Sequence, residues 1–246
     1  MTRIALVTGG IGGLGTAICT RLAQDGYTVV ANHHPSEADA AEAWKKDRAD
    51  AGFSIDTIAA DVSSFEDSAR MVNEITAHHG PIDILINCAG ITRDKTFKKM
   101  EAAQWNAVIS VNLNSVFNVT RPVWEGMLER GFGRIVNISS VNGQRGQFGQ
   151  ANYSAAKAGM HGFTMALAQE GASKGVTVNT ISPGYVETAM TLAMDETVRN
   201  SIISGIPMRR MAQPDEIAAA ISFLVSDESA YVTGANLPVN GGLFMH

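Results

Sequence analysis

Short runs of apolar, β-branched residues alternate with longer segments of helical periodicity along the whole chain. Such runs are typical of buried strands, and segments of about a dozen residues between them are long enough for parallel crossovers. The pattern predicts seven strands, at residues 3–7, 27–31, 53–59, 82–86, 134–138, 176–181 and 237–239. The predicted crossover helices are residues 16–24, 38–51, 65–78, 102–129 and 152–174.

The order of these elements predicts the fold class. Strands that alternate with helices favour an α/β architecture, here a single Rossmann-type, doubly wound parallel sheet of seven strands with helices on both faces. No internal repeat and no low-complexity linker interrupts the alternation. Residues 1–246 are therefore expected to form one domain.

Composition and charge narrow the classes of partner. Lysine and arginine number 19 against 24 aspartate and glutamate, a formal charge of −5, so neither nucleic acid nor an anionic membrane is an expected partner. No signal peptide and no apolar stretch of about 18 residues is visible. Cys19 and Cys88 form no paired motif, which excludes a disulfide framework and predicts the cytoplasm. His33 and His34 are adjacent on a strand with no third ligand spaced to join them, so no metal site is predicted.

A glycine-rich segment follows the first predicted strand directly. It reads Thr8-Gly-Gly-Ile-Gly-Gly-Leu-Gly15 and leads into the first predicted helix. Glycine is needed where the chain turns sharply and where backbone lies against a pyrophosphate, and a helix start directs free amide groups at phosphate oxygens. A tight turn would also use glycines, but the position at the first crossover of an α/β sheet favours a dinucleotide-binding loop.

Three residues further along form a candidate catalytic group. Tyr153 and Lys157 are four positions apart near a predicted helix start, so their side chains share one face. A phenol is a poor acid near neutrality, and a neighbouring ammonium is expected to lower the Tyr153 pKa. Ser140 follows the fifth predicted strand, at the edge where open α/β sheets place their sites, and its hydroxyl could hold a substrate carbonyl. Each residue alone has an ordinary structural interpretation, but together with the glycine loop they indicate an enzyme.

These motifs, in this order, resemble the short-chain dehydrogenase/reductase family over the whole chain. The shared residues are Thr8, Gly9, Gly13, Gly15, Asp61, the segment Asn87-Cys-Ala-Gly90, Asn112, Ser140, Tyr153, Lys157, Pro183, Gly184 and Thr188. The resemblance implies one dinucleotide-binding and catalytic domain with a catalytic tetrad of Asn112, Ser140, Tyr153 and Lys157. Cys88 departs from the family, which usually has asparagine there. Altered packing is expected rather than lost function, because the backbone matters most at this position.

The resemblance also implies which residues hold a nicotinamide cofactor. Asp61 is expected near the adenine, and the segment from Pro183 to Thr188 beside the nicotinamide. The full implied set is Gly9, Gly13, Leu14, Gly15, Asn32, His33, Asp61, Val62, Asn87, Ala89, Gly90, Tyr153, Lys157, Pro183, Gly184, Val186 and Thr188. A homotetramer is implied as well, built partly by the long helices that begin near Ala102 and Asn152.

Within the family the chain is more similar to the bacterial acetoacetyl-CoA reductases of polyhydroxybutyrate synthesis. The likeness rests on Gly90-Ile-Thr-Arg-Asp94, on segments 133–144 and 146–153, and on the ending Asn240-Gly-Gly-Leu243. It implies NAD(P)H-dependent reduction of acetoacetyl-CoA to (R)-3-hydroxybutyryl-CoA. The implied substrate-binding residues are Asp94, Lys99, Ser140, Gln147, Phe148, Gln150 and Tyr185.

Two other functions stay open at this point. Reductases of 3-oxoacyl groups on acyl carrier protein share many of these segments, and Arg130 and Lys174 could receive such an acidic partner. A non-catalytic, nucleotide-binding regulator could use the same fold. The intact pair of Tyr153 and Lys157 argues against a regulator, because a sensor needs neither residue.

Two charge patterns bear on the ligands. Arg93, Lys95, Lys98 and Lys99 bring four cations into seven residues of an acidic chain, which suits the phosphates of CoA as well as an ordinary solvated loop. The end of the second predicted strand has neither the acidic residue typical of NAD enzymes nor the basic residue typical of NADP enzymes. Residues 31–44 contain three carboxylates and no lysine or arginine, which favours NADH without excluding NADPH.

Overall fold

Seven parallel strands form one sheet in the computed structural model, which describes residues 2–245 apart from the side chain of Met190. The strands are β1 (Ile4–Val7), β2 (Thr28–His33), β3 (Ile55–Ala59), β4 (Ile82–Asn87), β5 (Gly133–Ile138), β6 (Val176–Pro183) and β7 (Asn236–Val239). Their spatial order is β3-β2-β1-β4-β5-β6-β7, and each neighbouring pair is parallel. The predicted α/β fold of Rossmann type is confirmed, and every predicted strand matches an observed one to within two residues at either end.

Helices lie on both faces of this sheet. They are α1 (Gly13–Gln24), α2 (Ala38–Asp50), α3 (Phe65–His79), α4 (Ala102–Ile109), α5 (Ser115–Arg130), α6 (Val141–Arg145), α7 (Ala151–Gly171), α8 (Ala189–Leu192), α9 (Glu196–Gly205) and α10 (Pro214–Val225). A π-helical turn, Ser110–Asn114, joins α4 to α5, so the predicted helix 102–129 is interrupted. The predicted helix 152–174 ends in a 3-10 turn, Ala172–Lys174.

The alternation of side chains along the strands explains why both faces carry helices. In β1, Ala5 and Val7 belong to one apolar core, whereas Ile4 and Leu6 belong to the other. Residues of α1 and α10 close the first core, and residues of α3 and α5 close the second. A strand buried on both sides is apolar at every position, which is why β1 reads as a continuous apolar run in the sequence.

The segment between β6 and β7 contains helices that were not predicted, of which α10 is the longest. It begins at Pro214, whose fixed φ suits the first helical position, and Gln213 and Glu216 exchange capping hydrogen bonds across its start. Ile217 and Ile221 pack into the same core as α1. Their spacing of four residues was a helical signal already available in the sequence.

The carboxyl ends of the central strands meet at one edge of the sheet. Thr8 follows β1, Cys88 follows β4, Ser139 follows β5 and Gly184 follows β6. β1 and β4 are neighbours at the point where the strand order reverses, because the chain runs outward from β1 to β3 and then outward from β4 to β7. Open α/β sheets bind their ligands in the crevice outside such a switch point.

Candidate active site

The glycine loop between β1 and α1 is packed too closely to accept side chains. A Cβ at Gly15 would lie 2.2 Å from the carbonyl oxygen of Gly9, and one at Gly10 would lie 2.7 Å from the Cβ of Ala31. Gly9 itself has a φ of 62°, in the left-handed region that favours glycine. The path of the loop therefore requires these glycines.

The start of α1 has the properties of an anion site. Gly12 precedes the helix and provides no side chain to cap it. The first amide groups of a helix and its positive dipole end favour phosphate oxygens when no side chain occupies them. A Cβ at Gly13 would lie 3.3 Å from the side chain of Thr188, so the loop and the segment after β6 approach closely. These residues fit the pyrophosphate of a nicotinamide dinucleotide.

Thr8 ties this loop to the loop after β4. Its hydroxyl accepts hydrogen bonds from the backbone N–H groups of Cys88 at 3.0 Å and Ala89 at 3.1 Å. Asn87 was predicted to bind the cofactor, but its buried side chain donates to Asn137 at 2.8 Å. The amide nitrogen of Asn87 thus joins β4 to β5 and is not available to a ligand.

The residues at the end of β2 are less accessible than the sequence suggested. Asn32 is 2% exposed, and its Nδ2 donates to the carbonyl groups of His33 and Ala60, both at 3.1 Å. Its Oδ1 accepts from the backbone N–H of Gly9 at 3.4 Å. Both amide hydrogens of Asn32 are thus engaged within the protein. The contact of Asn32 with a cofactor stays a prediction. His33 is also buried, and its ring nitrogen Nδ1 contacts the carbonyl group of His34 at 2.9 Å.

Asp61 and Val62 lie in the turn that follows β3. The Oδ1 atom of Asp61 accepts from the N–H of Ser63 at 2.9 Å, which fixes the carboxylate at the start of a turn. Its other oxygen lies 4.0 Å from Nε2 of His34, and both side chains are exposed. Val62 is buried, and its carbonyl group accepts from Asn118 at 3.0 Å. The side chains of His34 and Asp61 therefore form part of the protein surface at the carboxyl ends of β2 and β3.

Ser140, Tyr153 and Lys157 meet in one cleft of about 290 Å³ at the carboxyl edge. Ser140 precedes α6 and caps it, because its Oγ accepts from the N–H of Asn142 at 3.1 Å. Tyr153 and Lys157 lie one turn apart in α7, with Nζ 5.7 Å from the centre of the phenol ring. Nζ donates to the carbonyl group of Ile138 at 2.6 Å. The three side chains predicted from spacing alone are thus brought together.

The pKa of Tyr153 shifts against the sequence-based expectation. Burial raises it above its ordinary value, a hydrogen bond with Ser140 lowers it, and the charges of Asp94 and Cys88 raise it. The net direction is therefore opposite to the lowering expected from Lys157, because desolvation by burial is the largest cause. Burial also lowers the pKa of Lys157 to about 8. Tyr153 is therefore a neutral phenol at neutral pH.

Asn112 lies in the π-helical turn and holds the loop after β4. Its Oδ1 accepts from the N–H of Ile91 at 2.8 Å, and its Nδ2 donates to the carbonyl group of Ile91 at 2.9 Å. A Cβ at Gly90 would lie 3.5 Å from both Asn112 Oδ1 and Lys157 Nζ. Ser140, Tyr153 and Lys157 line the cleft, and Asn112 is buried behind the loop that carries Gly90 and Ile91.

The predicted substrate residues divide into two groups. Gln150 and Tyr185 line the cleft, together with Gly90, Pro183, Gly184, Val186 and Thr188 of the predicted cofactor set. Asp94 accepts from Gln150 Nε2 at 2.8 Å and so lies beside the cleft. The remaining three, Lys99, Gln147 and Phe148, are exposed and do not line it. Phe148 is 86% exposed, at the tip of the turn before α7.

Several residues that line the cleft were not predicted as site residues, among them Cys88 and Asn142. Cys88 lines the cleft beside the apolar core, where burial raises the pKa of its thiol to about 11. Asn142 also lines the cleft and is 8% exposed. Its position two residues after Ser140 was a signal in the sequence, because a residue that begins a short helix beside a catalytic serine shares the same edge of the sheet.

Two kinds of feature are absent from residues 2–245. No helix in this part of the chain is long and apolar enough to cross a membrane. The same residues contain no group of three or more histidine, cysteine, aspartate or glutamate side chains placed to hold a metal ion.

Fold and cleft together define a class of protein. A family model described as short chain dehydrogenase matches residues 3–199, and the chain belongs to this family. It is an oxidoreductase that uses a nicotinamide dinucleotide, as the sequence motifs predicted.

Similar proteins narrow the class further. An acetoacetyl-CoA reductase of Allochromatium vinosum is 85% identical over 246 residues, which covers all of both chains. A protein of Azospirillum brasilense named nodulation protein G is 57% identical over 98% of each chain. An acetoacetyl-CoA reductase of Cupriavidus necator is 53% identical over 99% of this chain and 98% of the relative. The predicted likeness to acetoacetyl-CoA reductases is confirmed.

Proposed function

We propose that the chain reduces acetoacetyl-CoA to (R)-3-hydroxybutyryl-CoA, with NADH as the electron donor. The observation that carries the proposal is the cleft in which Ser140, Tyr153 and Lys157 meet beside the glycine loop. The identity of 85% over the whole chain to a reductase named for this substrate supports the choice of acyl group and carrier. The R configuration follows from the same likeness.

Tyr153 acts as the general acid in this proposal. A dinucleotide bound at the glycine loop would supply the hydride for C3 of the substrate. The phenol of Tyr153 gives its proton to the C3 oxygen, so that the ketone becomes an alcohol. The raised pKa keeps Tyr153 protonated at neutral pH, and the hydrogen bond with Ser140 stabilises the phenolate that remains. Ser140 also orients the substrate oxygen. General acid catalysis of this kind contributes about 10²–10⁴-fold.

Lys157 and Asn112 return the proton to Tyr153. The pKa of the Lys157 ammonium is about 8, so it gives up a proton more readily than an exposed lysine. Asn112 fixes the loop at Ile91 beside this ammonium. In this proposal Asn112 also anchors a water molecule that connects Lys157 with bulk solvent.

The surface at the end of β2 supports NADH over NADPH. The Asn32 side chain has no free hydrogen for a 2′-phosphate, and His34 has the carboxylate of Asp61 4.0 Å away. Glu37 accepts from the N–H of His34 at 3.0 Å and adds a second negative charge. A phosphate of roughly −2 charge would be repelled at this surface, whereas a ribose hydroxyl would not.

The cationic run after β4 is proposed to meet the phosphates of CoA. Its loop is joined to the turn before α7 by a hydrogen bond from the N–H of Lys95 to the carbonyl group of Gly149, at 2.9 Å. The run and Phe148 therefore flank the same side of the cleft. Lys98 and Lys99 lie in an exposed 3-10 turn, Phe97–Lys99, and can reach an anion in solvent.

The positions of Arg130 and Lys174 do not favour the alternative substrate, a 3-oxoacyl group on acyl carrier protein. Arg130 donates to the carbonyl group of Ile82 at 2.8 Å, at the amino end of β4, and lies 3.5 Å from Asp83. Lys174 precedes β6 and lies at the same amino edge. The cleft is at the carboxyl edge, so a carrier protein held by these two residues would sit at the opposite end of the strands.

A steady-state assay tests the proposed function directly. Acetoacetyl-CoA, acetoacetyl-acyl carrier protein and a small 3-keto ester are compared with NADH and with NADPH, and chiral analysis of the product gives its configuration. The expected result is the highest kcat/KM with acetoacetyl-CoA and NADH, and an R product. Preference for the carrier protein would favour the alternative function, and the absence of turnover with either nucleotide would favour a regulator.

Assembly as a homotetramer in the cytoplasm is part of the same proposal. The outer faces of α5 and α7 form a groove lined by Phe117, Trp124, Leu128, Phe163 and Leu167, and Phe117 is 50% exposed. Apolar side chains of this size are usually covered in the assembled protein. Light scattering of the purified chain gives the number of subunits.

A further inference from the structure

Asn142 connects the catalytic serine with the turn that precedes α7. It is the second residue of α6, and its backbone N–H donates to Ser140 Oγ at 3.1 Å. Its side chain Nδ2 donates to Gln150 Oε1 at 3.0 Å. Gln150 Nε2 in turn donates to Asp94 Oδ2 at 2.8 Å. Four residues from three separate segments are thus joined along one wall of the cleft.

The direction of this chain of hydrogen bonds is fixed by Asp94. An ionised carboxylate can only accept, so Gln150 must present its NH₂ group to Asp94 and its carbonyl oxygen to Asn142. Asn142 must then present its own NH₂ group to Gln150. Its Oδ1 consequently faces away from Gln150, and that atom is buried without a hydrogen-bond partner.

The unpartnered oxygen indicates what the carboxamide does. A buried acceptor without a donor destabilises the folded state, and an apolar side chain of similar size would avoid that cost. The hydrogen bond to Gln150 is the one hydrogen bond that the Asn142 side chain makes among the described residues. Its contribution is therefore to the placement of Gln150.

We propose that Asn142 is a positioning residue for the acyl thioester, because it holds Gln150 between itself and Asp94 on the substrate side of the cleft. The inference rests on the proposed function, since it assigns a task to the same cleft. The backbone N–H of Asn142 donates a hydrogen bond to Ser140, and its side chain donates one to Gln150. A change of the side chain should therefore affect substrate binding and leave the capping of Ser140 in place.

Asn142→Ala tests this separation. The KM for acetoacetyl-CoA should rise about 3- to 10-fold, the range expected for one lost hydrogen bond, while kcat and the KM for NADH stay within about twofold. Asn179→Ala is the matched control, because Asn179 is also a buried carboxamide but bonds to Val232 and Ala235 instead. It should lower the melting temperature without changing either KM. An unchanged KM in Asn142→Ala, or equal rises in both KM values, would overturn the proposal.

Moving the carboxylate from position 94 to position 142 tests the direction of these hydrogen bonds. In Asn142→Asp a carboxylate would face the carbonyl oxygen of Gln150, and the amide could not serve two carboxylates at once. Adding Asp94→Asn lets Gln150 turn over, so that its NH₂ group meets position 142 and its oxygen accepts from position 94. The KM of the double variant should be at least threefold lower than that of Asn142→Asp alone. A double variant no better than the single one would contradict the proposal.

Two further measurements keep the outcome interpretable. If Asn142→Ala does not fold, the same test is made at Gln150, the middle residue of the hydrogen-bonded row. Gln150→Glu alone should raise the KM for acetoacetyl-CoA, and adding Asp94→Asn should lower it again. The wild-type protein is assayed beside every variant. Wild type without turnover of acetoacetyl-CoA would refute the proposed function, whereas an active wild type with unaffected variants would refute only the role of Asn142.

Discussion

The ammonium group of Lys157 donates to the carbonyl group of Ile138 at 2.6 Å, beneath the ring of Tyr153. This bond joins α7 to the last residue of β5 and keeps a charged group out of contact with water. The desolvation lowers the pKa of Lys157 from its ordinary 10.5 to about 8. The arrangement places a readily released proton in the cleft, at the expense of folding stability below pH 8.

Stability should depend on pH through this lysine. The unfolded chain binds the proton more tightly than the folded chain, so the unfolding free energy should rise as the pH increases from about 8 to 10.5. The full effect of this pKa difference is about 3 kcal/mol. Urea unfolding of wild type and Lys157→Met at several pH values isolates it as the difference between the two proteins. Lys174→Met, at an exposed position, is the control and should show no such trend.

Removing the Tyr153 hydroxyl should abolish reduction and spare cofactor binding. In Tyr153→Phe the proton donor is lost while the ring remains, so kcat should fall about 10²–10⁴-fold. The dissociation constant of NADH, measured by fluorescence titration, should stay within a few fold. Tyr231→Phe removes a hydroxyl from a fully exposed tyrosine and should be as active as wild type. Activity of Tyr153→Phe above roughly a hundredth of wild type would refute its role as general acid.

Reversing two charges in the cationic run should weaken binding of the nucleotide part of CoA. Lys98→Glu with Lys99→Glu is expected to raise the KM for acetoacetyl-CoA and to make it less sensitive to salt, because fewer charge contacts remain to be screened. The KM for a short keto ester should not change. Lys45→Glu with Lys46→Glu reverses an adjacent pair on α2 and serves as the control. Equal changes for both substrates would indicate a folding defect instead.

NADH should give a higher kcat/KM than NADPH at pH 8, at which an ordinary histidine is mostly neutral. The reason is the carboxylate surface around His34, together with an Asn32 side chain that has no hydrogen to offer. His34→Arg adds a fixed positive charge there and should improve the KM for NADPH several-fold. His78→Arg, at the exposed end of α3, should change neither value. Better turnover of NADPH by wild type would show that the charge argument is wrong.

The strands and the catalytic side chains could be predicted because each signal is local. β1 is buried on both faces, so its sequence is a continuous apolar run whose ends are visible. Tyr153 and Lys157 share a helix face at a fixed spacing of four residues. Ser140 was found for a similar reason, because it lies two residues after the end of β5.

Other parts of the site depend on contacts between distant segments. Asn32 lies near the end of β2, where ligand residues are common, but its bond to Ala60 forms only when β2 pairs with β3. The direction of the Tyr153 pKa shift is set by how deeply the cleft buries the ring. The hydrogen bond from Gln150 to Asp94 joins residues 56 positions apart. A contact between such distant segments leaves no periodic pattern in the sequence.

The π-helical turn between α4 and α5 gives the two helices different angular phases. A regular helix advances about 100° per residue, and the wider turn Ser110–Asn114 inserts one such step. α4 packs on α7 and α5 packs on α3, so each helix meets its own neighbour only with this offset in place. Loss of one residue from the turn would restore a continuous helix and swing Asn112 away from Ile91. The orientation of Asn112 thus depends on the number of residues in this turn. Deletion of one residue from the turn should change that orientation, whereas a point substitution elsewhere in the helix should not.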